Sequence, residues 1–141
     1  MDRRDFLQKS LYLTAGMAGI AAFVQSCSKS NTSPSSSAPT VDFTIDISTS
    51  QYSSLKTNGG YVYYSADNII IARDLSGNFV ALYDVCPHAG CTIQFDGKNA
   101  FPCPCHGSVF NESGNVTNGP ATSGVKKYNT SLSGTQLRIY G

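Results

Sequence analysis

Charge is scarce in this chain of 141 residues: Lys and Arg number 10, Asp and Glu 9, and the formal net charge is +1. With only 13% of residues charged, no basic face large enough to grip nucleic acid can be assembled, so nucleic acid is not expected as a partner. Length is limited too, leaving room for one domain and not two. Imidazole is scarcer still, with two His in the whole chain. No nucleophile–base pair, nucleotide loop or candidate substrate pocket can be traced, so an independent catalytic site is not evident. The N-terminal apolar run is expected to be too short for a comfortable permanent membrane span. The uncharged run Leu11 to Val24 has 14 residues, about 21 Å as a helix, against roughly 30 Å of bilayer hydrocarbon.

What the N-terminus does carry is the order of an export signal: a charged start, Asp2-Arg3-Arg4-Asp5, and then the short apolar run. Arg3-Arg4 followed by Phe6-Leu7 resembles the twin-arginine signal, which carries proteins already folded around a cofactor, although Asp2 stands where that pattern prefers Ser or Thr. An ordinary secretory signal is the alternative. Cys27 ends the apolar segment after Ser26 and resembles a bacterial lipoprotein cleavage site, with Val24 and Gln25 departing from its usual form. Lipidation of Cys27 is expected to hold the protein on a membrane by acyl chains. Ser28 to Thr40 then holds 6 Ser, 2 Thr and 2 Pro in 13 residues without hydrophobic periodicity, the composition of a linker. The expected division is an export signal over 1–26, a lipid-attachment Cys and linker over 27–40, and a folded domain over 41–141.

Across the whole chain, 13 Gly, 6 Pro and 8 Tyr point to many short strands and turns, and an all-β fold is expected for that domain. Val41, Phe43, Ile45 and Ile47 alternate with polar residues at the period of a half-buried strand. Further strands are expected at Tyr61–Tyr64, Ile69–Arg73, Phe79–Val85, Thr92–Phe95, Ser108–Asn111, Val125–Asn129 and Gln136–Tyr140. Turn signals such as Asn58-Gly59-Gly60, Ser76-Gly77-Asn78, Asp96-Gly97 and Ser113-Gly114-Asn115 separate them. Such spacing predicts an antiparallel sandwich or barrel.

Apart from Cys27, every Cys and both His fall between positions 86 and 106. They form two boxes, Cys86-Pro87-His88-Ala89-Gly90-Cys91 and Cys103-Pro104-Cys105-His106-Gly107-Ser108. Cys86 with His88, and Cys103 with His106, each offer one thiolate and one imidazole from a tight loop, so two facing loops make a four-ligand site. Cys91 and Cys105 are left over, one per box, and in an exported protein their natural use is a disulfide fastening the loops together. Two other uses stay open on spacing alone. Zn takes two Cys and two His, though it usually groups Cys with Cys and His with His. All four Cys could instead be paired as disulfides in a small secreted scaffold.

Over about residues 41–141 the sequence resembles the Rieske iron–sulfur family, in particular its high-potential branch. The resemblance rests on both boxes, the extra Cys in each, Gly107-Ser108, and Gly119-Pro120-Ala121 downstream, which matches a loop that covers the cluster in that family. It implies a Rieske-type β-sandwich or barrel with a small cluster-binding subdomain of two loops. It also implies one [2Fe-2S] cluster, with Cys86 and Cys103 on one iron, His88 and His106 on the other, and Cys91–Cys105 as the loop disulfide. Two ferric ions, two sulfides and two thiolates sum to roughly zero, so an added electron leaves the centre only singly negative, which suits a higher potential than four thiolates allow. Backbone N–H groups of the loops and the Ser108 hydroxyl are expected to donate to the sulfurs and favour the reduced form. High-potential relatives often carry Tyr where this chain has Phe110, which removes one donor.

The function implied is one-electron transfer, as a membrane-tethered extracytoplasmic carrier or as an oxidoreductase subunit. Expected partners are a cytochrome, as in quinol–cytochrome c reductases, and quinol itself. A molybdenum subunit, as in arsenite-oxidase-like enzymes, is the alternative, and a non-redox exported zinc-binding module is the reading outside redox chemistry. Ala89 stands where the quinol-oxidising relatives carry Leu. Asp84 and the pair Lys126-Lys127 are read as solvated surface charges.

Overall fold

The computed structural model describes residues 38–141. Cys27, the export signal and most of the expected linker lie outside the described residues. The elements in order are β1 (Asp42–Asp46), a 3-10 helical stretch (Ser50–Lys56), β2 (Tyr61–Tyr64), β3 (Ile69–Arg73), β4 (Phe79–Tyr83), β5 (Ala100–Pro102), β6 (Val109–Asn111), β7 (Val116–Asn118), β8 (Lys127–Ser133) and β9 (Gln136–Tyr140). All pairings are antiparallel. One sheet has six strands in the order β1-β9-β8-β4-β3-β2, and a second has three in the order β5-β6-β7. Phe43 and Tyr64, on the two edge strands of the larger sheet, stack with ring centroids 4.0 Å apart and planes 13° from parallel. The sheet therefore curls until its edges face each other, which shields two strand edges otherwise open to pairing with another chain.

The apolar run Ile69-Ile70-Ile71-Ala72 explains how two lobes share one wall. Alternate side chains of a strand point to opposite faces. Ile69 and Ile71, with Ala81 of β4, enter a base core with Ile45, Leu55, Tyr128, Leu137 and Ile139. Ile70 and Ala72, with Val80 and Leu82, enter a second core with Cys86, Ile93, Phe101, Cys103 and Phe110. All four residues of the run are fully buried, so this stretch reads as a continuous apolar segment instead of an alternating one. At about 1.5–3 kcal/mol for each buried aliphatic side chain, this wall is a major source of stability and anchors the loop that follows β4.

Several expectations are corrected. Thr92–Phe95 is not a strand: only Thr92 bridges to Val85. Its alternation is real, with Ile93 and Phe95 buried, but its backbone donates only sparsely, Ile93 N–H to Asp84 O at 2.8 Å and Gln94 N–H to Pro102 O at 2.8 Å. Strands β5 and β7, three residues each, and the Ser50–Lys56 turns were not expected, because three residues show no period. The strand expected over Val125–Asn129 lies at Lys127–Ser133. Lys126 is not a solvated charge. It is half-buried, donates to Pro39 O at 3.0 Å and lies 4.9 Å from the centroid of the Tyr128 ring. Pro39, placed in the linker by composition, is thus tied to the base.

Tyr128 donates to the same Pro39 carbonyl at 3.0 Å and is 1% exposed. Burial, reinforced by Tyr83, Asp67 and Asp84, pushes its hydroxyl up to about 12 from 10.0. The folded state holds this proton more tightly than the unfolded state. Its stabilisation is therefore complete below pH 10 and is lost as pH rises toward 12. Denaturant titrations between pH 9 and 12 are expected to show a loss of about 2–3 kcal/mol that Tyr128→Phe removes. An unchanged alkaline slope in that variant would contradict the assignment.

Candidate metal centre

Two loops at the end of the second lobe have the same backbone construction. The first follows β4 and is closed at its base by the Val85–Thr92 bridge; the second joins β5 to β6. In the first, Cys86 N–H donates to Cys91 O and Gly90 N–H to Cys86 O, both at 2.8 Å. In the second, Cys103 N–H donates to Ser108 O at 2.7 Å and Gly107 N–H to Cys103 O at 3.1 Å. Each loop is thus a Cys-Pro-x-x-Gly-x unit in which the first residue bonds to the sixth and the fifth to the first. Gly90 and Gly107 have φ of +76° and +81° with open space where a Cβ would sit. Backbone conformation, not crowding, therefore demands glycine there, and alanine would cost about 1–2 kcal/mol.

This geometry buries the first Cys of each loop and exposes the tip. Cys86 and Cys103 are 1% and 3% exposed and are free thiols. His88 and His106, at the third and fourth positions, are exposed, with ring centroids 4.8 Å apart and planes 83° from parallel. Cys91 and Cys105 form a disulfide across 14 residues, with Cα atoms 6.4 Å apart. The Cys103 sulfur lies with those two sulfurs inside a 4.8 Å cluster. Two of the three are spent in the disulfide, so that trio is not itself a metal site. The free Cys86 and Cys103 also exclude an all-disulfide scaffold. Burial pushes the Cys86 thiol up, helped by the adjacent Cys103, while the His88 backbone N–H and the Ser108 hydroxyl pull it down.

Behind the loops, Ser108 is fully buried and its oxygen accepts the Ala121 N–H at 2.9 Å. Phe110, also fully buried, pairs with Phe101 across β5 and β6 and shares a core with both free Cys. Asp84, read as a surface charge, is 5% exposed, and burial raises its carboxyl above the usual range. The burial of this acid is evident only in the fold, because a charged residue beside a loop reads as solvated in the sequence. Sequence reading also missed Asn118. Its side-chain amide donates to Gly107 O at 2.9 Å and Gly119 O at 3.2 Å, tying Gly119-Pro120-Ala121 to the second loop. Its only signal was its place directly before Gly-Pro. The lobes meet at the Asn58-Gly59-Gly60 turn, where a Cβ on Gly59 would stand 2.8 Å from Gly97 O.

A curled base sheet bearing a three-stranded lobe, with two disulfide-linked Cys/His loops at its end, defines an iron–sulfur domain of the Rieske class. The sequence pattern of the Rieske [2Fe-2S] domain matches residues 46–129, and the chain belongs to this family. Its cofactor is one [2Fe-2S] cluster. Two free buried thiols and two exposed imidazoles, one of each from either disulfide-linked loop, fit that group.

The chain is similar to the chloroplastic cytochrome b6-f complex iron-sulfur subunit of Pisum sativum, at 41% identity over 54 residues, 38% of this chain and 24% of the relative. It is similar also to the menaquinol:cytochrome c reductase iron-sulfur subunit of Geobacillus thermodenitrificans, at 30% identity over 92 residues, 62% of this chain and 49% of the relative. It thus spans about half or less of the length of these curated relatives. Among solved structures, the cyanobacterial plasma membrane Rieske protein PetC3 from Synechocystis PCC 6803 matches with a TM-score of 0.54 and 28% identity, over 64% of this chain and 95% of that one. Naphthalene 1,2-dioxygenase matches with a TM-score of 0.53 at 18% identity over 73% of this chain and 26% of that one, a likeness of fold alone. Among the described residues, no helix is long and apolar enough to cross a membrane.

Proposed function

We propose that the protein relays single electrons as an exported carrier or subunit of a quinol–cytochrome c reductase type of assembly, held at the membrane by lipidated Cys27. Cys86 and Cys103 hold one iron of the cluster and His88 and His106 the other. The observation that carries the reading is that paired, disulfide-linked loops each supply one buried free thiol and one exposed imidazole, the two imidazole rings lying 4.8 Å apart. When bound, the cluster accepts and releases one electron. The chain's own residues do the rest. The loops keep the thiols from water, the disulfide holds them together, and the exposed imidazoles bring the cluster within contact distance of a partner. The test is iron and sulfide analysis with low-temperature EPR of the purified chain. Two irons and a Rieske-type spectrum are expected; an iron-free or zinc-loaded protein would refute the reading.

The docking end has an electrostatic signature. Residues 86–91, 103–108 and 118–124 contain no Asp, Glu, Lys or Arg, and most of them are exposed. Association through this end lacks charge steering. Rate constants for oxidation by an anionic and by a cationic small oxidant are expected to change less than about twofold between 20 and 200 mM salt. Opposite, steep salt dependences for the two would place the electron exit elsewhere.

Phe110 sets the third expectation. A hydroxyl at this buried position, beside the core of both free thiols, adds a donor that favours the reduced, more negative state. Phe110→Tyr is expected to raise the midpoint potential, by about 59 mV for each 1.4 kcal/mol of preferential stabilisation. Voltammetry showing no rise would remove the argument.

A further inference from the structure

Three of the four domain sulfurs crowd into one place. The Sγ atoms of Cys91, Cys103 and Cys105 lie within 4.8 Å of one another, and Cys86 is not in that group. Two of the three form the disulfide, and Cys103 is a free thiol. At 3% exposure, Cys103 is shielded from water and from outside thiols. It is not shielded from the disulfide, because Cys91 packs against the core that contains Cys103. A free sulfur beside a disulfide is a nucleophile beside its electrophile. Cys103 is buried, Cys91 half-buried and Cys105 exposed, so the sulfur best placed to leave is the one already in water.

We propose that Cys103 and the Cys91–Cys105 disulfide form an internal thiol–disulfide exchange couple: a Cys103 thiol not held by iron attacks Cys91, a Cys91–Cys103 bond replaces Cys91–Cys105, and Cys105 becomes the free thiol. In this step the Cys103 thiol gives its proton to water and its sulfur bonds to Cys91 Sγ. The electron pair of the old bond departs on Cys105 Sγ, which takes a proton from water. One disulfide is consumed and one is formed, so neither oxidant nor reductant is needed. Attack requires the three sulfurs in line, and within 4.8 Å of one another they form a triangle. Rotation of the Cys103 side chain therefore comes first and makes the exchange slow. Attack on Cys105 instead would close a strained ring across Pro104 alone. Cys91–Cys103 closes a loop only two residues shorter than Cys91–Cys105 does, at almost unchanged closure entropy. The consequence rests on Cys103 being an iron ligand, as proposed above. The bound cluster then blocks the exchange, and its loss starts it. The exchanged chain has spent one ligand thiol, so cluster loss seals itself until an external dithiol resets the pair.

The test is disulfide mapping of the full chain with and without its cluster. Free thiols are trapped with N-ethylmaleimide in mildly acidic denaturant, which halts exchange. Peptide mass spectrometry reads the labelled positions, and fragmentation at Pro104 separates Cys103 from Cys105. Within the domain, the loaded chain is expected to be labelled at Cys86 and Cys103. After iron is removed by a chelator without reductant, at least about a tenth of the chains are expected to carry the label at Cys105 and a Cys91–Cys103 bond. Label confined to Cys86 and Cys103 in the stripped chain would overturn the inference. Two variants separate exchange by Cys103 from loosening of the loops. Cys86→Ala keeps all three sulfurs and is expected to exchange, whereas Cys103→Ala is expected to keep Cys91–Cys105 intact; equal scrambling in both would overturn the inference as well. Exchange at the same rate in the loaded chain would remove Cys103 from the ligand set, which sinks the proposed ligation and upholds the exchange. An unaltered chain that never holds iron sinks the proposed function alone, and the exchange is then read in that chain directly.

Discussion

Cys103→Ala is expected to yield protein without a cluster: less than about a tenth of the iron of the unaltered chain, and no visible absorption from an iron–sulfur chromophore. In the proposed ligation the thiolate would contribute both a bond and a charge, and both free Cys would be needed to bring the centre near neutrality. At 3% exposure, Cys103 sits where neither water nor another side chain of the loop substitutes readily. The disulfide sulfurs that lie nearest to it are already bonded to each other. Ser108→Ala makes the contrast. It removes a hydrogen bond and no ligand, so the iron is expected to remain while the potential falls. Iron analysis and absorption spectra of the two variants side by side check the pair; a fully loaded Cys103→Ala protein would exclude Cys103 as a ligand.

The double variant Cys91→Ser/Cys105→Ser is expected to lose on the order of 3 kcal/mol of stability, from the entropy that a closed loop of about 15 residues removes from the unfolded chain. For a domain of about 100 residues, that lowers the thermal midpoint by on the order of 10–20 °C. The functional effect follows from placement. The disulfide joins the sixth residue of one loop to the third of the other, so its removal is expected to let the two halves of the proposed ligand set separate. Thermal unfolding by circular dichroism, with absorption followed in parallel, is expected to show cluster loss preceding or accompanying unfolding at the lower temperature. A midpoint within 2–3 °C of that of the unaltered chain would show that the apposed loops hold without the bond.

How much of this was legible beforehand depends on whether the deciding physics is local. The two boxes could be read as matching loops because Cys, Pro and turn glycine within six residues fix a loop with little help from the rest of the chain. The run Ile69–Ala72 read correctly as a strand, although its burial on two faces came from the lobe packed behind it. Thr92–Phe95 failed in an instructive way: its side chains alternate as a strand's do, yet no neighbouring strand supplies a ladder. Asp84 and Lys126 were misjudged for one reason. A charged residue reads as solvated until the fold shows otherwise, and here Asp84 is buried and Lys126 is bonded to the Pro39 carbonyl.

By itself the sequence determined the all-β character, the family and the cluster type, because apolar period and loop chemistry are written in neighbouring residues. Only the tertiary structure decided which thiols stay free, how the two Cys-Pro-x-x-Gly-x loops face each other, and that Asn118 and Ala121 reach across to Gly107 and Ser108. These last relations join residues 11 and 13 positions apart, and a hydrogen bond at 2.9 Å depends on the packing between them, which no local pattern encodes.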